Sequence, residues 1–396
     1  MAKKKANGEG SIYKDKKNNR WRGSLSVGRD PKGKLKRKQF YGSTKKEVLD
    51  KMNDYRYKQA NDLLPIDNTI TLDQYLRYWL FEVKINEIKP STLERYDGII
   101  RNYVVGSAIA NIKLKDLRTS HLQSYYNNLS ETSSVNVIHN LNKLIKSGLS
   151  QALNENYISK NYACLVTLKK KDKKKEVEYL TKEVEYLTIE EQNRFLDQCK
   201  GHRLEAIFYM ALFTGLRLGE LLALTWDDID IDAAKVAVNK SVKLVGIPDK
   251  DGKREYKTII QEPKTATSIR SVPIPDIALN VLKKHKRVQL QERIKAGEAY
   301  INNNIVFANP IGGYTNESNL RKIYKKLLAK AEIEEVKFHS LRHTYATTLF
   351  IKDVSPKVVQ ALMGHSDIAT TMNIYTHVNE VVKVEAVQKL NEVFNF

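Results

Sequence analysis

Four short stretches carry the residue types from which phosphate chemistry can be assembled, and the densest is FHSLRHTYATTLF at 338–350. It sets His339, Arg342 and His343 within five positions, just ahead of an apolar run. Such a cluster can be a metal site, a buried hydrogen-bond cluster or a grip on an anion. His339 and His343 have the i, i+4 spacing of the zinc motif HExxH, but Ser340 stands where the catalytic glutamate would be, and no third ligand is close in sequence. Arg342 also opposes a metal, because a fixed cation beside a dication costs energy unless an anion lies between them. The i, i+3 spacing of His339 and Arg342 puts both on one helical face, where they can hold one small anion, while His343 turns elsewhere into packing.

In TGLRLGELLALTW (214–226), Thr214-Gly215 ends an apolar helix and Arg217 opens the next, where helical N–H groups and a guanidinium can both face an anion. Glu220 can pair with Arg217 and hold its rotamer; a purely structural Arg–Glu helix pair accounts for this motif alone equally well. In EPKTATSIRSVPI (262–274), Lys264 precedes a turn and a strand, which places it on or near the tip of a β-hairpin. There it is either a plain exposed lysine or a proton donor and phosphate contact brought in when a loop closes. In LMGHSDIATTMNIYTH (362–377), Gly364 ends a helix opened by Ser355-Pro356, His365 follows at once, and Tyr375 comes ten residues later. One tyrosine among 21 gains no standing from its type. The acidic run DDIDID (227–232) imitates a calcium loop but has Ala233 and Asn239 where a glycine and a glutamate are needed, so it reads as a turn into the strand KVAVNKSV. No metal site is expected, and a nuclease working through converging carboxylates and two metals is disfavoured.

The elements that must position these groups belong to a chain of 396 residues with 41% hydrophobic content, enough for two or three domains with real cores. Its net charge of +21 points to a polyanionic partner. No run of about 18 apolar residues and no apolar leader are present, so neither a membrane span nor a secretory signal is expected, and the chain should work in the cytosol. Cys164 and Cys199, far apart and without CxxC spacing, read as inert thiols.

The charge is uneven: residues 1–64 hold 19 Lys/Arg against 7 Asp/Glu. Within them, segments 10–14, 20–28 and 36–42 alternate apolar or aromatic with basic residues around turns at Asn18-Asn19 and Pro31-Lys32-Gly33, which predicts a three-stranded antiparallel sheet. A helix should follow from Thr44, capped with Glu47. Arg20, Arg22, Lys36, Arg37 and Lys38 could enter a groove or track phosphates; a small sheet with a solvated basic face is the alternative. Residues 65–168 read as a bundle of four or five helices, two of them opened by capping boxes at Thr71/Gln74 and Ser91/Glu94. KKKDKKK (169–175) then begins a basic linker reaching 187, which contains the tandem copy KEVEYLTKEVEYLT (175–188), a duplication that lengthens the linker or registers a short strand. A capping box at Thr188/Glu191 should open the last domain, 188–396. The fold class expected is multidomain α+β: a sheet plus helix, a helical bundle, and a mainly α domain with a small β-sheet or hairpin.

Taken in this order, Arg217 in TGLRLGE, Lys264, HSLRH, MGH and YTH resemble the tyrosine recombinases, or phage integrase family, over about 188–377. The upstream segments look like that family's arm-binding sheet module and helical core-binding domain. The resemblance implies Tyr375 as nucleophile forming a 3′-phosphotyrosyl bond, Arg217 and Arg342 clamping the non-bridging oxygens, and Lys264 protonating the leaving 5′-oxygen. It further implies His339 assisting proton transfer at the tyrosine and His365 bonding the phosphate. No cofactor is implied. The implied partners are double-stranded DNA at core and arm sites and three further copies of the chain, with an excisionase and a host DNA-bending protein as accessories, in the nucleoid of a bacterial host. The expected function is integration and excision of a phage or conjugative element through a Holliday junction; the alternatives are a Xer-like chromosome or plasmid resolvase and a non-catalytic DNA-binding regulator. The C-terminal VNEVVKVEAVQKLNEVF reads as an apolar-striped helix that packs on a neighbouring subunit or on its own domain.

Overall fold

A computed structural model of the chain describes residues 10–16, 18–29, 34–60, 69–169, 185–262 and 268–376. The turn at Pro31-Lys32-Gly33, the linker from 170, the first copy of KEVEYLT, Lys264 and the C-terminal helix all lie outside them. The chain divides into two compact units, Met1–Lys169 and Lys170–Phe396.

In the first unit, β1 (Ser11–Asp15), β2 (Arg20–Arg29) and β3 (Leu35–Gly42) form an antiparallel sheet in that order, and α1 (Lys45–Ala60) packs on it. Strand alternation turns Gly23 and Leu25 toward α1 and Arg20, Arg22 and Ser24 away from it. The buried core is small: Leu25, Val48 and Met52, flanked by Ile12, Trp21, Phe40 and Tyr55. Gly23 permits the close approach of α1, since a Cβ there would lie 2.4 Å from Met52 Sδ and 2.6 Å from Val48. The helix start differs from a reciprocal capping box. Thr44 Oγ1 accepts the Glu47 N–H, but the Glu47 carboxylate accepts from the Ser43 N–H, one residue earlier than expected.

The helical part comprises α2 (Leu72–Tyr78), continued by a π-helical turn (Trp79–Lys84), then α3 (Pro90–Tyr103), α4 (Thr119–Leu129) and α5 (Val135–Asn154). Thr71 and Gln74 form the expected capping box. The Ser91/Glu94 box does not form: α3 starts earlier, with Lys89 as N-cap and Pro90 in the first turn, because proline's fixed φ and missing N–H suit that position. The stripe Ile138, Leu141, Leu144, Ile145, Leu149 and Ala152 along α5 supplies the bundle's centre.

The second unit opens with residues 185–188 of the second KEVEYLT copy, which form no strand; Leu187 is buried and its N–H donates to Thr344 Oγ1 at 3.0 Å. Thr188 and Glu191 cap α6 (Ile189–Cys199) reciprocally. Next comes α7 (Glu205–Thr214), apolar all round and buried, followed by α8 (Leu218–Ala223). Strands β4 (Ile229–Asp230), β5 (Lys235–Val238) and β8 (Arg270–Pro273) make one sheet, and β6 (Ser241–Pro248) with β7 (Arg254–Gln261) make a separate hairpin. This corrects the expectation for the strands around Lys264: β7 and β8 pair with different partners, so they are not the two arms of one hairpin. Asp228 accepts from Thr225, Asn239 and Lys240, Ile229–Asp230 of the acidic run form β4, and the turn read from sequence follows at 231–234 before β5. Four helices complete the unit: α9 (Asp276–Ala296), α10 (Glu317–Lys330), α11 (Ser340–Ile351) and α12 (Pro356–Met363). A further helical stretch spans 368–376.

Candidate active site

The site is built outward from the core of the second unit. Phe338 packs among Phe208 and Tyr324, with Phe195 beside them, and this cluster fixes where α11 begins. His339 is therefore the residue preceding the helix and Arg342 lies one turn inside it. The buried helix α7 ends at Gly215 with φ 61°, a left-handed conformation that favours glycine, and a Cβ there would lie 2.4 Å from the Tyr345 ring of α11. That break turns the chain so that Arg217 becomes the N-cap of α8.

Arg342, 2% exposed, holds the arrangement together. Its Nη1 donates to the Gly215 carbonyl at 2.6 Å and its Nη2 to the Met363 carbonyl, so one guanidinium joins the residue two before Arg217 to the residue two before His365. The Arg217 side chain is 38% exposed; Nη1 meets Glu220 Oε1 at 2.8 Å and Nη2 donates to the Gly364 carbonyl at 3.4 Å. Glu220 also accepts the Arg217 backbone N–H at 2.9 Å and pairs with a second buried guanidinium, Arg270. Burial alone would raise the Glu220 carboxyl; Arg270 and Arg217 outweigh it and hold it below the usual carboxylate range.

The histidines are held neutral. Desolvation, then the cations Arg342 and Arg217, push His365 down to about 3, and desolvation with His343, Arg342 and Arg217 puts His339 at about 4. Desolvation and the Arg217 and Arg270 charges push Arg342 down to about 9, which leaves it charged at neutral pH. Such a pocket stabilises an anion: Arg217 and Arg270 share one carboxylate, Arg342 adds a third positive charge beside them, and the neutral imidazoles can exchange protons without adding fixed charge. His343 does not turn away as its helical position suggested. Its ring stands edge-on to His339 at 4.9 Å, because the His343 N–H donates to the His339 carbonyl at 3.3 Å, one helical turn below on the same face.

His365 Nδ1 bonds the hydroxyl of Thr371, fully buried, at 2.9 Å, and Nε2 has no hydrogen-bond partner among the described residues. Four residues on, Tyr375 is half-buried with its ring edge-on to Phe350 of α11 at 5.1 Å, and its hydroxyl has no hydrogen-bond partner among the described residues. Arg217, His339, Arg342 and His365 thus come together, and the helix bearing Tyr375 is tied to the same framework through Thr371 and Phe350. Lys264 lies outside the described residues. Sequence reading missed Arg270 and Thr371. Arg270 opens a strand and Thr371 stands one turn before Tyr375, but neither position announces a bond to a partner about 50 or 6 residues away.

The basic residues of the first unit divide between two faces. Arg20 lies 4.2 Å from the Tyr41 ring centroid, and Arg22 lies between Tyr41 and Tyr13 and bonds Gln39, all on the face away from α1; Arg37, opposite Ser26, shares that face. Lys38, opposite buried Leu25, lies on the α1 side with its ammonium 4.5 Å from the Tyr55 ring, and Lys36 has the same strand parity.

Comparison with known proteins agrees with the geometry. The family model described as "Phage integrase family" matches residues 173–381, and "Phage integrase, N-terminal SAM-like domain" matches 71–130. The chain is 41% identical to "Tyrosine recombinase XerC-like" of Caldanaerobacter subterraneus subsp. tengcongensis, covering 94% of this chain and 96% of that one. It is 28% identical to an integrase of Staphylococcus phage L54a, covering 88% and 98%. Among solved structures, the Tn1549 transposon integrase in complex with transposon right-end DNA matches with TM-score 0.61 at 21% identity, covering 77% and 95%. A lambda integrase tetramer bound to a Holliday junction matches with TM-score 0.52 at 18% identity, covering 94% and 96%. With a family model spanning more than half of its residues and a relative this similar along nearly its whole length, the chain belongs to the phage integrase family and is a tyrosine-type site-specific DNA recombinase.

Proposed function

We propose that the protein integrates and excises a mobile element by cleaving and rejoining duplex DNA through a 3′-phosphotyrosyl intermediate at Tyr375. The observation that carries this reading is the fork of Arg342, which draws the Arg217 turn and the His365 turn around one cationic pocket. The Tyr375 oxygen attacks the scissile phosphorus, its proton passing toward His339, while the 5′-oxygen leaves with a proton from Lys264. Charge that builds on the non-bridging oxygens meets Arg217 and Arg342, and His365 Nε2 hydrogen-bonds the phosphate. The phosphotyrosyl bond keeps the energy of the broken phosphodiester, so reversal onto a new 5′-hydroxyl needs no ATP.

Residues 1–64 act as an arm-site reader, 65–168 as a core-site binder, 169–187 as a basic linker and 188–396 as the catalytic domain, assembled as a tetramer on a Holliday junction, as the lambda integrase tetramer is. Accessory partners are an excisionase and a host bending protein, in the bacterial cytosol. Among the described residues no helix is long and apolar enough to cross a membrane. A resolvase reading draws on the XerC-like relative; the basic sheet module favours an element integrase over it. The test is a nicked suicide duplex spanning the junction between element and chromosome. Wild type should give a covalent adduct that Tyr375→Phe abolishes with unchanged DNA retention, and a non-catalytic regulator would give none. Adduct on a chromosome-dimer resolution site but not on the element junction would favour the resolvase.

A further inference from the structure

The described residues contain a buried charge that the reaction above does not use. Arg270, whose side chain is 6% exposed, spends its donors inside the protein. Nη2 meets Glu220 Oε2 at 2.9 Å, Nη1 reaches Glu220 Oε1 at 3.3 Å and the Ser268 carbonyl at 3.2 Å, and Nε donates to the Leu362 carbonyl at 2.8 Å. It contacts the backbone of Gly364 so closely that a Cβ there would lie 2.9 Å from Arg270 Cδ.

A carboxylate and a guanidinium prefer to meet with both oxygens and two nitrogens. Glu220 has two guanidiniums available, and Arg270 takes the two-oxygen arrangement. Arg217 is left with a single side-chain bond to Glu220, Nη1 to Oε1, because Oε2 is occupied by Arg270 and the Arg217 backbone N–H. Without Arg270, Glu220 would be free to turn and close on Arg217 with both oxygens, neutralising it and drawing it from the pocket. We infer that Arg270 is a positioning residue: by sharing Glu220 it keeps the Arg217 guanidinium charged toward the pocket, and by holding Leu362 it sets the turn that carries His365. Its electrostatic effect agrees, since Arg270 is the chief cause that keeps the buried Glu220 ionised.

This inference rests on the recombinase reading, and its test separates the two. The full chain is assayed on the nicked junction duplex carrying either an ordinary scissile phosphate or an uncharged methylphosphonate at that position. Removing the phosphate charge removes the task of Arg217, so a variant that acts through Arg217 should lose its defect there. On the phosphate duplex, Arg270→Met should slow adduct formation by about 10²-fold, the typical effect of losing one oxyanion donor, with retention of the duplex within about twofold. On the methylphosphonate duplex its deficit should shrink to within about fivefold of wild type, a residue left by the His365 turn. Arg270→Lys, which keeps a cation beside Glu220, should fall between on the phosphate duplex, and it is read in the same way if the methionine variant does not fold. Equal deficits on both duplexes would show a merely structural role, and a wild-type rate on phosphate would show none; either overturns the inference. Absence of adduct from the wild-type chain would count instead against the recombinase reading.

Discussion

The protein uses arginine in two opposite ways. On the sheet of the first unit, exposed Arg20 and half-buried Arg22 lie against tyrosine rings on the face away from α1, where water screens much of their charge. In the second unit, Arg342 and Arg270 are buried and committed to carbonyls and to Glu220, and Arg217 stands at the edge of the same pocket. The first arrangement suits attraction to a polyanion along its length; the second suits one phosphate in one geometry. Under the proposed function the same side chain would serve affinity where it is solvated and chemistry where it is desolvated, because a charge interaction strengthens as water is removed around it.

The sharpest way to break this contrast is Arg342→Ala. It should slow adduct formation by ~10³-fold or more and also destabilise the chain by roughly 3 kcal/mol, since the Gly215 and Met363 carbonyls lose their donors in a buried site. Rate of adduct formation and urea unfolding measure the two effects, and an undisturbed unfolding midpoint would contradict the bridging role. Thr371→Val should slow adduct formation by about fivefold, the equivalent of one neutral hydrogen bond of ~1 kcal/mol, while Thr371→Ser stays near wild type.

On the exposed side, Arg20→Ala and Arg22→Ala should leave unfolding within about 0.5 kcal/mol of wild type and leave the rate at saturating DNA unchanged. Each should flatten the dependence of log affinity on log salt by ~0.9 for every DNA phosphate that the side chain neutralises. A change in adduct rate without a change in salt slope would erase the distinction. The desolvated side should also show itself in pH. His339 and His365 are depressed to about 4 and about 3, so between those values and ~6.5 the unfolded chain binds protons that the folded chain refuses. Their contribution is present in full above about pH 6.5 and is lost as pH falls toward 4. His365→Gln should reduce that slope in a melting series from pH 8 to 4.

Much of this was legible beforehand because it is local. Alternation wrote the three strands, and the reciprocal boxes at Thr71/Gln74 and Thr188/Glu191 wrote two helix starts, since each bond spans only three residues. Ser91/Glu94 has the same pattern and fails because Pro90 next door is a stronger local starter. Spacing paired His339 with Arg342, but that Arg217 and His365 join them was legible only through resemblance, for no spacing rule joins residues 23 or more positions apart.

By itself the sequence determined which segments are strands or helices, where the charge is concentrated, and which side chains are capable of phosphate chemistry. These follow from periodicity, composition and pKa, which act within a turn or two of the chain. Tertiary structure alone decided that Arg342 bridges Gly215 and Met363, that Arg270 shares Glu220 with Arg217, that Thr371 orients His365, and that Lys38 lies on the α1 side of the sheet apart from Arg22. A buried donor must find its acceptor wherever packing brings one within about 3 Å, and packing is settled by the whole core at once.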